Sequence, residues 1–312
     1  MRTIIGLDIG GTKTAIVEGT FAGEILSRVE MATEAERPFA ETGPELARVV
    51  CSMCDEANRE GREPVAISVA VAGPVRARDG VLANPPNLPG WHGANLGAAF
   101  GIDVTGLPVF VEHDAKAGAL AEYRFGVGKG RFGLTGLVFL TCGTGMGAGM
   151  IVDGRLVRGA SDTAGELWGM RLVGDDDCLV RAVPRWEDAA SGRGLVRLAA
   201  AMCPARWNAR TPIRAIVELA LADDPDAVEV VQESGRWLGV GLAILADVLN
   251  PPLIVVGTLG VVLGDLLLGP ARVVLARRAL PAAVAACKVV PGALGSQIGD
   301  VQSLMAAIGS TV

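Results

Sequence analysis

The chain has 312 residues, half of them apolar by count and only 20 % charged. That bounds it to about two packed domains of ~150 residues and excludes long disorder. A net charge of −6 supplies no basic field for nucleic acid. The opening residues "MRTIIGLDIGG" lack the long apolar core and small-residue cleavage site of a leader. The most apolar stretch, "WLGVGLAILADVLNPPLIVVGTLGVVLGDLLLG", is cut by Asp247, Asn250, Pro251, Pro252 and Asp265 into pieces too short to span a bilayer. A cytoplasmic chain with neither membrane nor nucleic acid as partner is expected.

Residues 3–9 read as a buried strand and 14–18 as a second, joined by the Gly-Gly turn of "LDIGGTKTAIVEG". Adjacent glycines admit backbone conformations closed to other residues, and the Thr and Lys beside them can meet an anion. Asp8, an acid within an apolar strand, is costly unless it has a metal or a donor as partner. A helix is predicted near 43–60. It carries a C-x-x-C, Cys51 and Cys54, among Leu46, Val49, Val50, Met53 and Ala57 at helical spacing. No second C-x-x-C follows, and the two histidines are His92 and His113. The cysteines therefore read as packing residues rather than a metal or redox motif.

"VAISVAVAGPV" is the next strand, and "RARDGVLANPPNLPGW" gives an Asp-Gly hairpin and a Pro/Asn-rich loop. "LPVFVEHDAKAGALAEYRFG" is a strand running into an Ala-rich helix, and "LTGLVFLTCGTGMGAGMIVDGRLV" is a strand, a glycine loop, a strand and an Asp-Gly turn. Helices follow at 193–203 and 227–249, "PLIVVG" is a strand, and 300–309 is a terminal helix. The pattern predicts two α/β lobes, each opened by a hairpin, with a cleft between them. The echo of "GGT" in "GTG" hints at an internal duplication.

Three nucleotide-binding patterns compete for the glycine loops. A Walker loop needs G-x-x-x-x-G-K-[ST], which occurs at neither. "GTGMGA" has the letters of a dinucleotide fingerprint, yet β-branched strand follows it where a helix is required. The third pattern is a pair of hairpin turns whose backbone N–H groups and Thr hydroxyls grip a polyphosphate. It competes with plain tight hairpins, which would not need those polar donors. Asp114, at the strand-to-helix junction of "VFVEHDAKA", suits either a helix N-cap or a general base.

"GLDIGGTKTA", "NPPNLPGW", "VEHDAKAGALAE", "CGTGMGAGMIVDGRLVRGA", "GELWGM", "ASGRGL" and "NPPLIVVGTLG" follow one another along nearly the whole chain. In that order they resemble the ROK-family sugar kinases (repressor, open reading frame, kinase). The resemblance implies an α/β, actin-like ATPase fold of hexokinase type, with two lobes around a catalytic cleft. The N-terminal lobe would span 1–115, completed by a terminal helix at about 298–312, and the larger C-terminal lobe 116–297. The implied activity is transfer of the γ-phosphate of ATP to a sugar hydroxyl with Mg²⁺.

Carried over residue by residue, the resemblance implies a first phosphate turn at Asp8, Gly10, Gly11, Thr12 and Lys13, with Asp8 near the metal. The second would be Gly143, Thr144 and Gly145, and Gly257 and Thr258, with Leu259 and Gly260, would contact adenosine. Asp114 matches the general base, and Gly73, His113, Glu166 and Glu187 match substrate-binding positions. Three features depart from the family. His113 stands where Asn is usual. Gly169 replaces the His of a G-E-x-G-H segment. In place of a zinc-binding cysteine cluster, "RLVGDDDCLVRAVPRWED" offers Cys178 alone, so no structural zinc is expected. The altered pocket suits a hexose or a sugar-like polyol such as a C7-cyclitol.

Two alternatives belong to other classes. ROK repressors carry a helix-turn-helix before the first glycine turn, and a turn starting at Asp8 leaves no room for one. A catalytically silent sugar-binding protein would not need Asp8, Asp114 and both turns. A homodimer is the family habit.

Overall fold

The computed structural model describes residues 1–172 and 185–310. The chain divides into two compact units: residues 1–125, 158–164 and 296–312 form the first, and 126–157 and 165–295 the second.

The first unit opens with three antiparallel strands, β1 (Arg2–Ile9), β2 (Lys13–Gly19) and β3 (Ile25–Ala32). Helix α1 (Phe39–Arg59) leads to β4 (Glu63–Val71), the short hairpin β5 (Val75–Arg76) and β6 (Val81–Leu82), and two small helices, α2 (Leu96–Phe100) and α3 (Ile102–Thr105). Strand β7 (Val109–His113) then runs directly into α4 (Asp114–Arg124). The sheet order is β3-β2-β1-β4-β7, with β1, β4 and β7 parallel.

Alternation along the strands decides what covers each face. Ile5, Leu7, Ile9, Ile67, Val69 and Val71 point into one core with Leu46, Val50 and Met53 of α1 and with Trp91. Full burial of such side chains contributes ~1.5–3 kcal/mol each. Gly6 and Ser68 face the other way, toward the C-terminal helices α12 (Ile298–Ser303) and α13 (Met305–Ser310). The Ala307 N–H donates to Ser68 Oγ at 3.2 Å, and a Cβ on Gly6 would lie 2.3 Å from Ser303 Oγ.

The second unit repeats the plan. Strands β8 (Leu137–Cys142), β9 (Met146–Val152) and β10 (Arg155–Leu156) are antiparallel, and β11 (Leu253–Val256) and β12 (Lys288–Pro291) run parallel to β8. The order β10-β9-β8-β11-β12 matches that of the first sheet strand for strand, which gives the suspected duplication a structural basis. Between β10 and β11 lie α5 (Glu187–Ala190), α6 (Gly192–Met202), α7 (Ile213–Leu221) and the long α8 (Pro225–Leu249); α9 (Leu259–Leu263), α10 (Asp265–Arg278) and α11 (Pro281–Ala286) follow β11. Asp224 caps α8 by accepting the Ala227 N–H, and Asn250 ends it at φ 44°. Among the described residues no helix is long and apolar enough to cross a membrane.

The backbone contact at Gly6 yields a test. Gly6→Ala should destabilise the protein by ~1–3 kcal/mol, because α12 must shift to admit the methyl group. Calorimetry should show a lower Tm; an unchanged Tm would mean that α12 yields without cost.

Candidate active site

In the first unit, the β1–β2 turn is closed by the Gly10 N–H on Lys13 O at 3.1 Å. Thr33, just past β3, holds it: its hydroxyl donates to Gly10 O at 2.7 Å, and its N–H to Thr12 O at 3.1 Å. Asn87 of the Pro/Asn loop packs on the turn so closely that a Cβ on Gly11 would sit 2.8 Å from Asn87 O. Thr12 is exposed, and Lys13 Nζ donates to Glu30 Oε2 at 3.0 Å.

Asp8 is the last residue but one of β1, beside this turn. Burial pushes its carboxyl up to about 7, helped by the Asp114 and Asp300 charges and opposed by the Gln302 hydrogen bond and Lys13. Gln302 Nε2 donates to Asp8 Oδ1 at 2.8 Å from 294 residues away in sequence. Gly299 of the same helix is equally close: a Cβ there would meet Asp8 Oδ2 at 2.7 Å. Among the described residues no group of three or more His, Cys, Asp or Glu side chains is arranged to hold a metal ion. One hard carboxylate nevertheless fits Mg²⁺, which is commonly held by one or two carboxylates plus substrate phosphates.

The β7–α4 junction carries Asp114. The helix N-cap is His113, whose Nδ1 accepts the Ala115 N–H at 3.2 Å. The same Nδ1 lies 3.3 Å from Asp114 Oδ1. Asp114 occupies the first helical position, and its Oδ1 also accepts the Ala115 N–H, at 2.6 Å. Burial raises the Asp114 pKa to about 6, although 26 % of its side chain remains open. Gly73, at φ 113°, lies against Pro85. A left-handed backbone there favours glycine.

Residues 158–164 form a strap on this junction that the sequence did not reveal. Arg158 pairs with the buried Glu112, whose other oxygen accepts the His113 N–H at 3.0 Å. Buried Lys116 donates to Asp162 O, and Asp162 Oδ2 accepts the Ala77 N–H at 3.2 Å. Asp114 thus sits between two buried charged residues, Glu112 and Lys116, each tied to the strap.

In the second unit, the β8–β9 turn contains Gly143, Thr144 and Gly145. The Gly143 N–H reaches Gly145 O at 3.1 Å. Glu187 lies against this turn, its Oε2 accepting the Met146 N–H at 2.8 Å. Glu166 Oε2 accepts the indole N–H of Trp168 at 2.9 Å, and Arg185 stacks 5.4 Å from the Trp168 ring centroid. An ideal Cβ on Gly169 meets nothing within 4 Å. At the end of β11 the Gly257 N–H donates to Leu140 O at 2.8 Å. Thr258 follows at φ 32°, a strained backbone for a β-branched residue and one often kept where a ligand is held. Its Oγ1 would lie 3.6 Å from a Cβ on Gly143. Cys178 lies outside the described residues, and with it the expectation about zinc.

Thr33, Gln302 and the strap are the residues that sequence reasoning missed. Thr33 and Gln302 carried no motif, and the strap's "RGA" fell inside a recognised string without any sign of its partners.

A crystal structure of a ROK family glucokinase from Streptomyces griseus, in complex with glucose and AMPPNP, superposes with a TM-score of 0.75 at 32 % identity, covering 96 % of this chain and 97 % of that one. A ROK hexokinase from Thermus thermophilus gives 0.76 at 30 % identity and covers 99 % of both chains. The architecture is that of the actin-like ATPases of hexokinase type. The ROK family sequence model matches residues 4–305, and a glucokinase of Streptomyces coelicolor is 37 % identical over 291 residues, 87 % of this chain and 86 % of that protein. The chain belongs to the ROK family.

The Arg158–Glu112 pair should matter to stability. Arg158→Met strands a buried carboxylate, at a cost of ~1–3 kcal/mol. Denaturant unfolding should show that loss, and adding Glu112→Gln should recover part of it. If the double variant is no more stable than the single one, the pair is not what fixes the strap.

Proposed function

We infer that the chain is an ATP-dependent carbohydrate kinase that transfers the γ-phosphate to a hydroxyl of a hexose or a sugar-like polyol, with Asp114 as general base. The observation that carries the base assignment is Asp114 itself. It is a carboxylate fixed at a strand-to-helix junction, raised by burial to about 6 and still partly open. A base poised just below neutrality is deprotonated at working pH, yet basic enough to accept the hydroxyl proton as the phosphoryl group arrives. Ala115 N–H holds Oδ1, and Oδ2 is the oxygen assigned to the substrate.

The β1–β2 turn and the β8–β9 turn are the proposed phosphate-binding elements, and Gly257 and Thr258 the proposed contacts to adenosine. Phosphoryl transfer needs positioning and charge stabilisation more than covalent help, which suits sites built mainly of backbone. Asp8, oriented by Gln302, would hold Mg²⁺ together with the phosphates. The ion supplies neutralisation of the charge that develops on the transferring group.

The acceptor is where this chain differs from a glucokinase. Glu166 and Glu187 are the proposed substrate carboxylates. Glu166 is partly engaged by Trp168, His113 Nδ1 is engaged by the Ala115 N–H, and Gly169 leaves space where the family places His. A pocket that has lost a hydrogen-bond donor disfavours a substrate needing it. These changes support a ring with a different hydroxyl pattern or anomeric side, such as a C7-cyclitol. A homodimer belongs to the same reading.

Asp114→Asn should reduce turnover by ~10²–10⁴-fold while leaving ATP affinity nearly unchanged. The wild-type profile of kcat/KM against pH should rise on its acid side with an apparent pKa near 6, because the base works only when deprotonated. Near-normal turnover in Asp114→Asn would transfer the role to another group. A chelator should abolish turnover, and added Mg²⁺ should restore it. ADP formation measured over glucose, N-acetylhexosamines, inositols and C7-cyclitols tests the acceptor. Glucose turning over as efficiently as any other compound would remove the cyclitol reading.

A further inference from the structure

Glu187 was expected, from the family resemblance, to face the substrate. One of its two oxygens also serves the glycine turn beside it. Its Oε2 accepts the N–H of Met146, the residue that closes the β8–β9 turn, at 2.8 Å. The same oxygen would lie 2.7 Å from a Cβ on Gly145, so the carboxylate rests directly against the turn. A few residues further on, the Gly192 N–H donates to Gly143 O at 2.7 Å and the Arg193 N–H to Thr144 O at 3.2 Å. A Cβ on Gly192 would approach Gly143 O to 2.8 Å. Segment 187–193 therefore grips the turn at Gly143, Thr144 and Met146 with one hydrogen bond each.

These contacts have a directional effect. Two of the N–H groups at the start of α6, normally left without partners in the helix, are spent on the turn's carbonyls. With Gly143 O and Thr144 O drawn toward α6, the peptide planes of the turn are fixed. Met146 N–H is fixed in the same way from the other side by a carboxylate, and a charged acceptor makes the stronger bond. A glycine turn without such anchors would sample many conformations, and ordering it would oppose ligand binding.

We propose that Glu187 is a positioning residue for the nucleotide, acting through the Gly143–Met146 turn. The inference rests on the reading of that turn as a phosphate-binding element. Its signature is that Glu187 serves as a hydrogen-bond acceptor, so a neutral acceptor of the same shape can replace it in part.

The experiment is calorimetric titration of the full chain with AMPPNP and Mg²⁺ in the absence of sugar, for wild type, Glu187→Ala, Glu187→Gln and Gly145→Ala. Thermal unfolding of each variant verifies that it is folded. Glu187→Ala should weaken AMPPNP binding about tenfold, the equivalent of one lost hydrogen bond to a charged group, and Glu187→Gln, a neutral acceptor, should recover part of that loss. Gly145→Ala, which pushes on the same oxygen, should weaken binding too, and the double variant Gly145→Ala/Glu187→Ala should lose less than the two single losses combined. Wild type failing to bind AMPPNP would overturn the phosphate-turn reading itself. Wild-type binding with undiminished affinity in Glu187→Ala would overturn the role of Glu187 alone. So would a Glu187→Gln variant as weak as Glu187→Ala. If a variant is too unstable to titrate, initial-rate kinetics with the best acceptor supply the readout: a raised KM for ATP supports the proposal, and an unchanged KM for ATP overturns it.

Discussion

One backbone hydrogen bond recurs in both units, and much of the site depends on it. The residue just past the first parallel neighbour of the central strand donates to that strand: Ala72 N–H to Ile9 O at 2.9 Å, and Gly257 N–H to Leu140 O at 2.8 Å. In each sheet the central strand, β1 or β8, has an antiparallel partner on one side and a parallel partner on the other. The hairpin turn and the end of the parallel strand must then emerge at the same edge. Polar backbone groups collect there without any side chain directing them, which is why α/β sheets bind ligands at such switch points. Asp8, Gly73 and the first turn share that edge in one unit, and the second turn, Gly257 and Thr258 share it in the other.

How much of this could be read from the sequence follows from how far each interaction reaches. The central strands are long apolar runs bounded by glycine, so β1, β4, β8 and β11 were legible, as was the β7-to-α4 transition. Strand β3, "ILSRVEMA", was missed because it lies at a sheet edge and alternates irregularly, with Arg28 and Glu30 exposed and paired to each other. Strand β12 is four residues long and ends in Pro291, too short a signal to register. The glycine turns announced themselves by composition. Their supports did not, since Thr33 and Gln302 look like ordinary polar residues until the fold brings them to Gly10 and Asp8. Local capping was ambiguous for a different reason: His113 and Asp114 can each accept the Ala115 N–H, and only the backbone shows that His113 holds the cap position.

The acids of the first unit illustrate how environment separates similar groups. Asp114 is partly open, and desolvation moves it up to about 6. Asp8 feels burial, Asp114 and Asp300 together and moves to about 7. Neighbouring carboxylates pushed to different values are the usual mark of divided labour. The arrangement also links ligation to stability: whatever neutralises Asp8 relieves repulsion built into the folded state.

The threading of the first unit has a consequence for how the protein comes into being. Its three segments lie at the start, the middle and the end of the chain. Domains commonly fold in order as they leave the ribosome, but this one cannot be finished in that order. Strand β1 is made long before the helix that covers Gly6 and orients Asp8. Until α12 and α13 are made, Gly6 and Ser68 lack the cover that those helices give them. Strand β1 thus waits for its cover through the synthesis of most of the second unit, and a ribosome stalled short of α12 would carry a first unit still lacking that cover.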